Sequence, residues 1–289
     1  MTRRTLDVAT AWWFGSTRRL LLLPSALALL AVALLVSASQ APLRTDYVAM
    51  LTGARVLSSN GCLYCHGVQV AAQQSLVHAS GIAFDPFLEA PVVAELFRPL
   101  LALPPLAGFL LETAASSAMM VAACILLLRA LRVRADVQVA GIAAVAALSL
   151  PAAWVLALGQ TDALVVLAAA LALWLRSSER RMLAGLALSV AFLKPQTVFM
   201  AVPLLLLARE WRWLFGTLVG IAALAVASLL ITGGSGLSSW LSLAASSGPG
   251  LSSSVGISGA IAWLGGGAAG LAAAALSTAC GVALVVSKR

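Results

Sequence analysis

The fold class of this chain is decided by the stretch LFGTLVGIAALAVASLLI, residues 214–231, which contains no charged side chain. A helix needs about 20 mostly apolar residues to cross a bilayer, and this stretch has nearly that length. Of the 289 residues, 62% are hydrophobic and 10% are charged, whereas soluble domains carry about 25% charged residues. A bilayer admits only helices or closed barrels, and barrel strands would alternate apolar with polar residues. The sequence therefore predicts an all-α, polytopic membrane protein.

Further apolar segments flank this stretch on both sides and predict about eight transmembrane segments. In chain order they cover residues 20–36, 106–128, 137–158, 163–175, 182–193, 197–208, 214–231 and 257–286. We expect residues 1–289 to form one domain, because no internal repeat or low-complexity linker divides them. Segment 20–36 is longer than a signal-peptide core, so we expect it to remain as the first span, although small residues at 37–39 would permit cleavage.

The three segments between residues 163 and 208 hold only 12 or 13 residues, roughly 18 to 20 Å of helix against a hydrocarbon core of about 30 Å. Either the polar breaks 159–162 and 194–196 are drawn into the membrane from outside, or each break kinks one long helix. A single helix over 182–208 would put Arg181 and Arg209 on opposite faces of the membrane. We therefore expect dipping hairpins whose polar tips line a cavity open to the outside.

The distribution of basic residues predicts the orientation. Of the 18 basic residues, only Arg44, Arg55, Arg98 and Lys194 lie outside when the N-terminus is placed inside. This follows the positive-inside rule and predicts a plasma-membrane protein with both termini cytoplasmic and a long external loop, residues 41–98. The net charge of +8 lies in short clusters between apolar runs, which argues against a nucleic-acid partner.

Apolar residues recur at helical spacing at the start of the external loop and predict an interfacial helix lying on the membrane surface. They are Tyr47, Met50, Leu51, Ala54 and Leu57. Asp46 is the candidate N-cap, and Gly61 lies beyond the end of the predicted helix.

The string Cys62-Leu63-Tyr64-Cys65-His66 matches the C-x-x-C-H pattern of haem attachment. A c-type haem also needs an apolar pocket and usually a second axial ligand, and the only other histidine, His78, lies in a Gln-rich stretch. We therefore favour a disulfide between Cys62 and Cys65 in an oxidising compartment, with free thiols and haem attachment as the alternatives.

Ionisable residues at membrane depth carry a free-energy cost of insertion, and they usually mark an ion or substrate pathway or a functional site. The candidates are Asp46, Asp162, Lys194 and Glu112, the last of which we expect only to pack within the second span. Asp46 is placed to take a proton from an incoming hydroxyl or, alternatively, only to cap a helix. Gln160 and Asp162 lie at one hairpin tip and Lys194 and Gln196 at the next, so an ion pair between the tips would be a sufficient structural role. In the functional alternative, Lys194 neutralises a phosphate group and Gln160 donates a hydrogen bond.

Several short motifs follow one another in a defined order. They are Asp46-Tyr47, Gly61-Cys62-Leu63-Tyr64, Phe84-Asp85-Pro86-Phe87 with Pro91-Val92-Val93, Gly159-Gln160-Thr161-Asp162, and Leu193-Lys194-Pro195. Their order resembles that of glycosyltransferase family 87, and the likeness covers residues 44–213. These are membrane-embedded enzymes of the GT-C superfamily, related to mannosyltransferases that use polyprenyl-phosphate mannose.

The resemblance implies an inverting transfer from a polyprenyl-phosphate sugar donor to a lipid or glycan acceptor outside the cytoplasmic membrane, with no cofactor and no metal. It implies that Asp46 is the general base. The residues that it places at the substrates are Tyr47, Gln160, Asp162, Lys194 and Gln196. The expected partners are the donor, the acceptor and membrane lipids.

Two features depart from the family pattern. Cys65-His66 stands where ordinary loop residues are expected, and the chain ends after its eighth segment whereas complete members continue through more helices. The second feature leaves open a truncated product, a shorter variant or an inactive relative. The alternative functions are a transporter or flippase for a lipid or small solute and, third, a c-type haem redox protein. The clustering of the breaks in mid-chain, without a second copy of Asp46-Tyr47, disfavours an inverted-repeat carrier.

Overall fold

The computed structural model describes residues 46–77, 84–131 and 150–246. Every regular element in these ranges is a helix and none is a strand, so the prediction of an all-α fold is confirmed for the described residues. The predicted segments 20–36 and 257–286, most of segment 137–158, and His78 lie outside these ranges. The prediction of eight transmembrane segments therefore stays a prediction.

The regular structure of the described ranges consists of α-helices and two 3-10 helices. The α-helices are α1 (Asp46–Ser58), α2 (His66–Leu76), α3 (Pro91–Phe97), α4 (Pro105–Ala130), α5 (Leu150–Leu158), α6 (Asp162–Ser177), α7 (Arg181–Ser189), α8 (Pro195–Leu207) and α9 (Trp211–Ser246). The 3-10 helices Arg98–Ala102 and Val190–Leu193 directly follow α3 and α7. A proline opens α3, α4 and α8, where its missing N–H leaves no helical hydrogen bond unmade. The helical course of α9 is interrupted at Gly233.

Two described helices are long and apolar enough to cross a membrane, namely α4 and the Trp211–Trp240 part of α9. The distribution of polar and apolar side chains on α4 is the reverse of that on a helix of a soluble protein. It buries Glu112 and Ser116 within the protein and exposes Leu110 and Leu111. Such an arrangement fits a lipid environment, in which polar side chains are satisfied between helices.

The prediction of a helix at the start of the external loop is confirmed by α1, but the prediction that it lies on a surface is wrong. Residues 47–54 are all buried, and Arg55 is the first exposed residue of the helix. A helix that is apolar on all sides is enclosed rather than laid along an interface. The ring of Phe87 packs so closely on Gly53 that a Cβ there would overlap it.

The break around residue 194 folds the segments on its two sides back on each other, whereas the prediction that the polar tips are drawn into the membrane stays a prediction. Arg181, at the start of α7, lies with its Nη1 atom 3.3 Å from Oε2 of Glu210, which follows α8. One continuous helix would hold these two residues roughly 40 Å apart. A single helix over residues 182–208 is therefore ruled out, and the turn is made by Lys194, whose backbone is extended, followed by Pro195.

Close backbone packing joins α7 to α9. A Cβ on Gly185 would overlap the carbonyl oxygen of Trp213, and a Cβ on Gly216 would overlap that of Met182. Small residues at such a contact let two helices approach until their backbones touch. This contact helps to hold the four helices α6, α7, α8 and α9 together as one layer. The two ends of this layer carry different charges.

The acidic end of this layer is defined by Asp46, Asp85, Glu89, Asp162 and Lys194. The arginine end is defined by Arg176, Arg180, Arg181, Arg209 and Arg212, together with Glu179 and Glu210. Helix α6 connects the two ends, since Asp162 is its first residue and Arg176 lies in its last turn. Its 16 residues span about 24 Å.

Candidate active site

A backbone break before α6 brings two distant parts of the chain together at the acidic end. Gly159 has φ of 67°, a left-handed conformation that glycine adopts without strain. A Cβ at this position would lie 2.8 Å from Cβ of Tyr47, so glycine also lets the first turn of α1 approach the break. As a result, the side-chain amide of Gln160 donates a hydrogen bond to Oδ2 of Asp46.

Lys194 lies between two carboxylates beside this contact. Its Nζ atom is 2.6 Å from Oδ2 of Asp162 and 3.8 Å from Oε1 of Glu89. The lysine and Glu89 side chains are only 14% and 15% exposed. The contact with Asp162 is the ion pair between hairpin tips that the sequence analysis gave as a sufficient structural role.

Glu89 reaches Lys194 from the connecting segment, residues 84–90, which has no regular secondary structure. Buried side-chain amides of α2 satisfy its backbone. Gln69 accepts from the N–H of Phe87 at 2.9 Å and donates to the carbonyl of the same residue at 3.2 Å. Gln73 accepts from the N–H of Asp85 at 3.1 Å. The glutamines of α2 thus fix a loop that has no backbone ladder of its own.

Two aromatic side chains hold the connecting segment from other elements. The hydroxyl of Tyr64 donates to the carbonyl of Glu89 at 2.8 Å, and Nε1 of Trp240 donates to the carbonyl of Leu88 at 3.2 Å. Because Tyr64 precedes α2 and Trp240 belongs to α9, the segment is tied both to the start of α2 and to a candidate membrane span. The backbone that carries the Glu89 carboxylate is therefore well fixed.

Burial raises the pKa of two carboxyl groups at the acidic end. Burial raises the pKa of Glu89 to about 7; Lys194 opposes this shift, whereas Asp162 and Asp46 add to it. Burial also raises the pKa of Asp85 to about 6, with a further contribution from Asp46. Within the described ranges, no group of three or more His, Cys, Asp or Glu side chains is arranged to hold a metal ion.

A second set of polar groups lies beneath Gln160, between α1 and α4. Oε1 of Glu112 accepts a 2.6 Å hydrogen bond from Ser116, and Oε2 faces Gly159, 3.4 Å from where a Cβ would be. Tyr47 is fully buried and packs edge-on against Phe109. Burial raises the pKa of the Tyr47 phenol to about 12, and Glu112 adds to the shift. Glu112 packs within its span as expected, but among the described residues its buried Oε2 atom has no hydrogen-bond partner.

The structure brings together most of the residues that the sequence singled out. Asp46 and Gln160 are in contact, as are Asp162 and Lys194. Tyr47 lies beside them in the hydrophobic core, with no exposed surface. Gln196 is in the first turn of α8, and its side chain lies outside the part that the structure describes.

Glu89 was not predicted to be a site residue, and no role was predicted for the glutamines of α2. Glu89 and Asp85 are carboxylates in a proline-containing stretch that is otherwise largely apolar, and this was a usable signal. The role of Gln69 had no such signal, because it depends on the tertiary position of Phe87.

Cys62 and Cys65 form a disulfide immediately before α2. A c-type haem would need the same two sulfur atoms for its thioether bonds. The bond therefore supports the expected disulfide over haem attachment. Its neighbour His66 packs edge-on against Phe84, with ring centroids 4.8 Å apart.

A comparison with protein-family models gives a match to "Glycosyltransferase family 87" over residues 87–288. The match includes Glu89, Gln160, Asp162 and Lys194, and it begins after Asp46. Comparison with curated proteins and with solved structures gave no match.

Proposed function

Because this chain belongs to glycosyltransferase family 87, we propose that it transfers mannose from a polyprenyl-phosphate donor to a hydroxyl of a lipid or glycan acceptor. The transfer takes place on the outer side of the cytoplasmic membrane. The observation that carries the proposal is the contact between Asp46 and Gln160 next to the ion pair between Asp162 and Lys194, which brings together three separate parts of the chain. Transfer of this kind needs a base for the acceptor and a positive charge near the leaving phosphate.

Asp46 is the general base in this proposal. The hydrogen bond from Gln160 engages Oδ2 and orients the carboxylate, which leaves Oδ1 to take the proton of the acceptor hydroxyl. The deprotonated oxygen attacks the anomeric carbon as the bond from that carbon to the phosphate oxygen breaks. The transition state resembles an oxocarbenium ion, and attack opposite the leaving group inverts the configuration.

Lys194 stabilises the departing polyprenyl phosphate, whose charge grows as the glycosidic bond breaks. In the structure its ammonium is paired with Asp162, so the donor phosphate competes with carboxylates for it. In this proposal Gln160 and Gln196 donate hydrogen bonds to the sugar donor or to the acceptor. Tyr47 follows Asp46 in the chain and its side chain is fully buried. In this proposal Tyr47 supports the base through packing, and only its backbone can contact the substrate.

The decisive experiment uses the full chain reconstituted in lipid vesicles with radiolabelled polyprenyl-phosphate mannose and extracted membrane lipids as acceptors. Transfer of label into the acceptor lipids is compared between wild type, Asp46→Asn and Glu95→Gln. Glu95 is the matched control, because it is a carboxylate of the external loop that pairs with Arg98 at an exposed position. We expect Asp46→Asn to lower transfer by about 10²- to 10⁴-fold, the usual worth of a general base, and Glu95→Gln to leave it unchanged.

Two outcomes would contradict different parts of the proposal. Full activity of Asp46→Asn would show that another group takes the proton, while the transferase assignment would stand. A folded wild-type protein that transfers no label from mannose or from other polyprenyl-phosphate sugars would overturn the transferase activity proposed for this chain.

A further inference from the structure

The arginine end is built around two loops of the same construction. After α6, the N–H of Arg180 bonds to the carbonyl of Leu175 at 2.9 Å, and after α8 the N–H of Glu210 bonds to the carbonyl of Leu205 at 3.1 Å. This helix-closing motif needs one residue in left-handed backbone, and glycine is the usual choice. Here the residues are Glu179, with φ of 59°, and Arg209, with φ of 50°. Both loops thus carry a long charged side chain at a position where the left-handed backbone conformation favours glycine.

The positive charge at this end exceeds what its glutamates neutralise. Glu210 pairs with Arg176 at 2.8 Å and with Arg181 at 3.3 Å, and Glu179 pairs with Arg181 at 3.1 Å. Within the described part of the chain, no carboxylate pairs with Arg209 or Arg212. These two guanidinium groups are exposed and available to an anion.

A cavity lies among these side chains. It has a volume of about 580 Å³ and is lined by Glu179, Arg181, Arg209, Glu210, Trp211 and Arg212. Trp211, which lines the cavity, is 62% exposed. The adjoining ends of α8 and α9 also expose Leu206, Leu207 and Phe215, which together with Trp211 are called the apolar rim. The site therefore combines unpaired guanidinium groups with an apolar rim.

We propose that this cavity binds the phosphate headgroup of an anionic phospholipid. Guanidinium groups bind phosphate oxygens through paired hydrogen bonds, and basic pockets between membrane helices bind anionic headgroups. The exposed Trp211 suits the headgroup level of a bilayer, and the leucines and Phe215 suit acyl chains. The apolar rim favours a lipid over a soluble phosphate. Arg209 and Arg212 hold the phosphate, and the ion pairs of Glu210 hold Arg176 and Arg181 in place.

The left-handed positions supply a matched pair of variants. Arg209→Gly and Glu179→Gly both put glycine where the backbone favours it, so neither is expected to unfold the protein. The first removes a positive charge from the cavity and the second removes a negative one. A purely structural role of the loops would make the two variants alike.

The test measures lipid binding to the full chain in detergent by native mass spectrometry, with phosphatidylglycerol and phosphatidylcholine as probes. We expect wild type to bind phosphatidylglycerol more tightly than phosphatidylcholine. We expect Arg209→Gly to weaken phosphatidylglycerol binding about fivefold, as loss of one cation near anionic lipid predicts. Glu179→Gly is expected to bind as tightly as wild type or more tightly, and neither variant is expected to change phosphatidylcholine binding.

Three results would overturn the proposal. The first is equal affinity of wild type for the two lipids. The second is an equal loss in the two glycine variants. The third is full displacement of phosphatidylglycerol by millimolar inorganic phosphate, which would identify a site for free anions instead of a lipid site.

Discussion

At the acidic end the chain enters α6 through Gly159, whereas at the arginine end it leaves α6 and α8 through Glu179 and Arg209. All three residues have left-handed backbone, with φ of 67°, 59° and 50°. Gly159 is pressed against Tyr47 and Phe109, so no side chain fits, while Glu179 and Arg209 extend into an open cavity. At the acidic end, close packing requires glycine at position 159. At the arginine end there is room for a side chain, and Glu179 and Arg209 line the cavity.

The ion pairs of the two ends differ in the same way. Lys194 is 14% exposed between its two carboxylates, whereas Arg176 and Arg181 are 46% and 43% exposed. An exposed pair is screened by water and contributes little, but removal of one partner from an enclosed pair leaves an uncompensated charge. We therefore expect the acidic end to be far more sensitive to charge removal than the arginine end.

The sharpest test of this difference compares Lys194→Gln with Arg176→Gln. Loss of Lys194 leaves the enclosed Glu89 and the partly exposed Asp162, whose side chains are 15% and 31% exposed, without their shared cation, so we expect the free energy of unfolding to fall by about 3 kcal/mol. We also expect sugar transfer to fall by about 10²-fold or more, the usual cost of losing one charge-stabilising donor. Arg176→Gln should cost less than about 1 kcal/mol and leave transfer unchanged. Unfolding in mixed micelles and the vesicle assay measure the two effects; similar losses in both variants would contradict the comparison.

A second test addresses the backbone at the acidic end. Gly159→Ala adds a Cβ against Tyr47 and in a left-handed conformation, so we expect it to destabilise the protein by about 2 kcal/mol. It should also separate Asp46 from Gln160 and lower sugar transfer. Glu179→Gly is the reverse change at the arginine end: it relieves about 1 to 2 kcal/mol of left-handed strain but adds about 0.4 to 1 kcal/mol of unfolded-chain entropy, so it should not destabilise the protein. A stabilising Gly159→Ala would show that α1 does not pack against the break.

A third test uses pH to separate the two ends. Glu89 faces Lys194, Asp162 and Asp46, and its pKa of about 7 means that it is mostly protonated below pH 7 and ionised above it. The ionised carboxylate competes with the donor phosphate for Lys194, so we expect donor KM to rise as pH increases through 7. The rise should approach tenfold per pH unit at most, the limit for one proton.

The control for this test is Glu89→Gln, which cannot ionise and should show a donor KM that no longer depends on pH across the same range. The donor is a phosphodiester and does not titrate near neutral pH, so a change in KM reports on the protein. A rise in KM that persists unchanged in Glu89→Gln would remove Glu89 from the explanation.

The smallest expected effect concerns the coupling between Arg176 and Glu210. A double-mutant cycle with Arg176→Gln and Glu210→Gln should give an interaction energy below about 1 kcal/mol, and added salt should reduce it. The corresponding cycle for Lys194 and Asp162 should give a larger value that depends less on salt. Equal couplings would mean that enclosure makes no difference between the two ends.

The sequence alone predicted the helical fold, the helices α4 and α9, and the folded-back middle segments. These predictions rest on the length of apolar runs and on the sign of charge at their ends, which are local properties of the chain. The sequence also put Asp46, Gln160, Asp162 and Lys194 forward as site residues, because polar groups beside apolar segments carry a free-energy cost that marks them.

Only the tertiary structure decided which of these groups touch and what surrounds them. The sequence could not place Glu89 at Lys194, because that contact depends on a segment without regular structure, held by Gln69, Tyr64 and Trp240 from elsewhere in the chain. It also suggested that α1 lies on a surface, since helical spacing records where apolar residues recur but not whether the remaining faces are covered. Periodicity is set by neighbours along the chain, whereas burial and ion pairing are set by residues that are far apart in sequence and close in space.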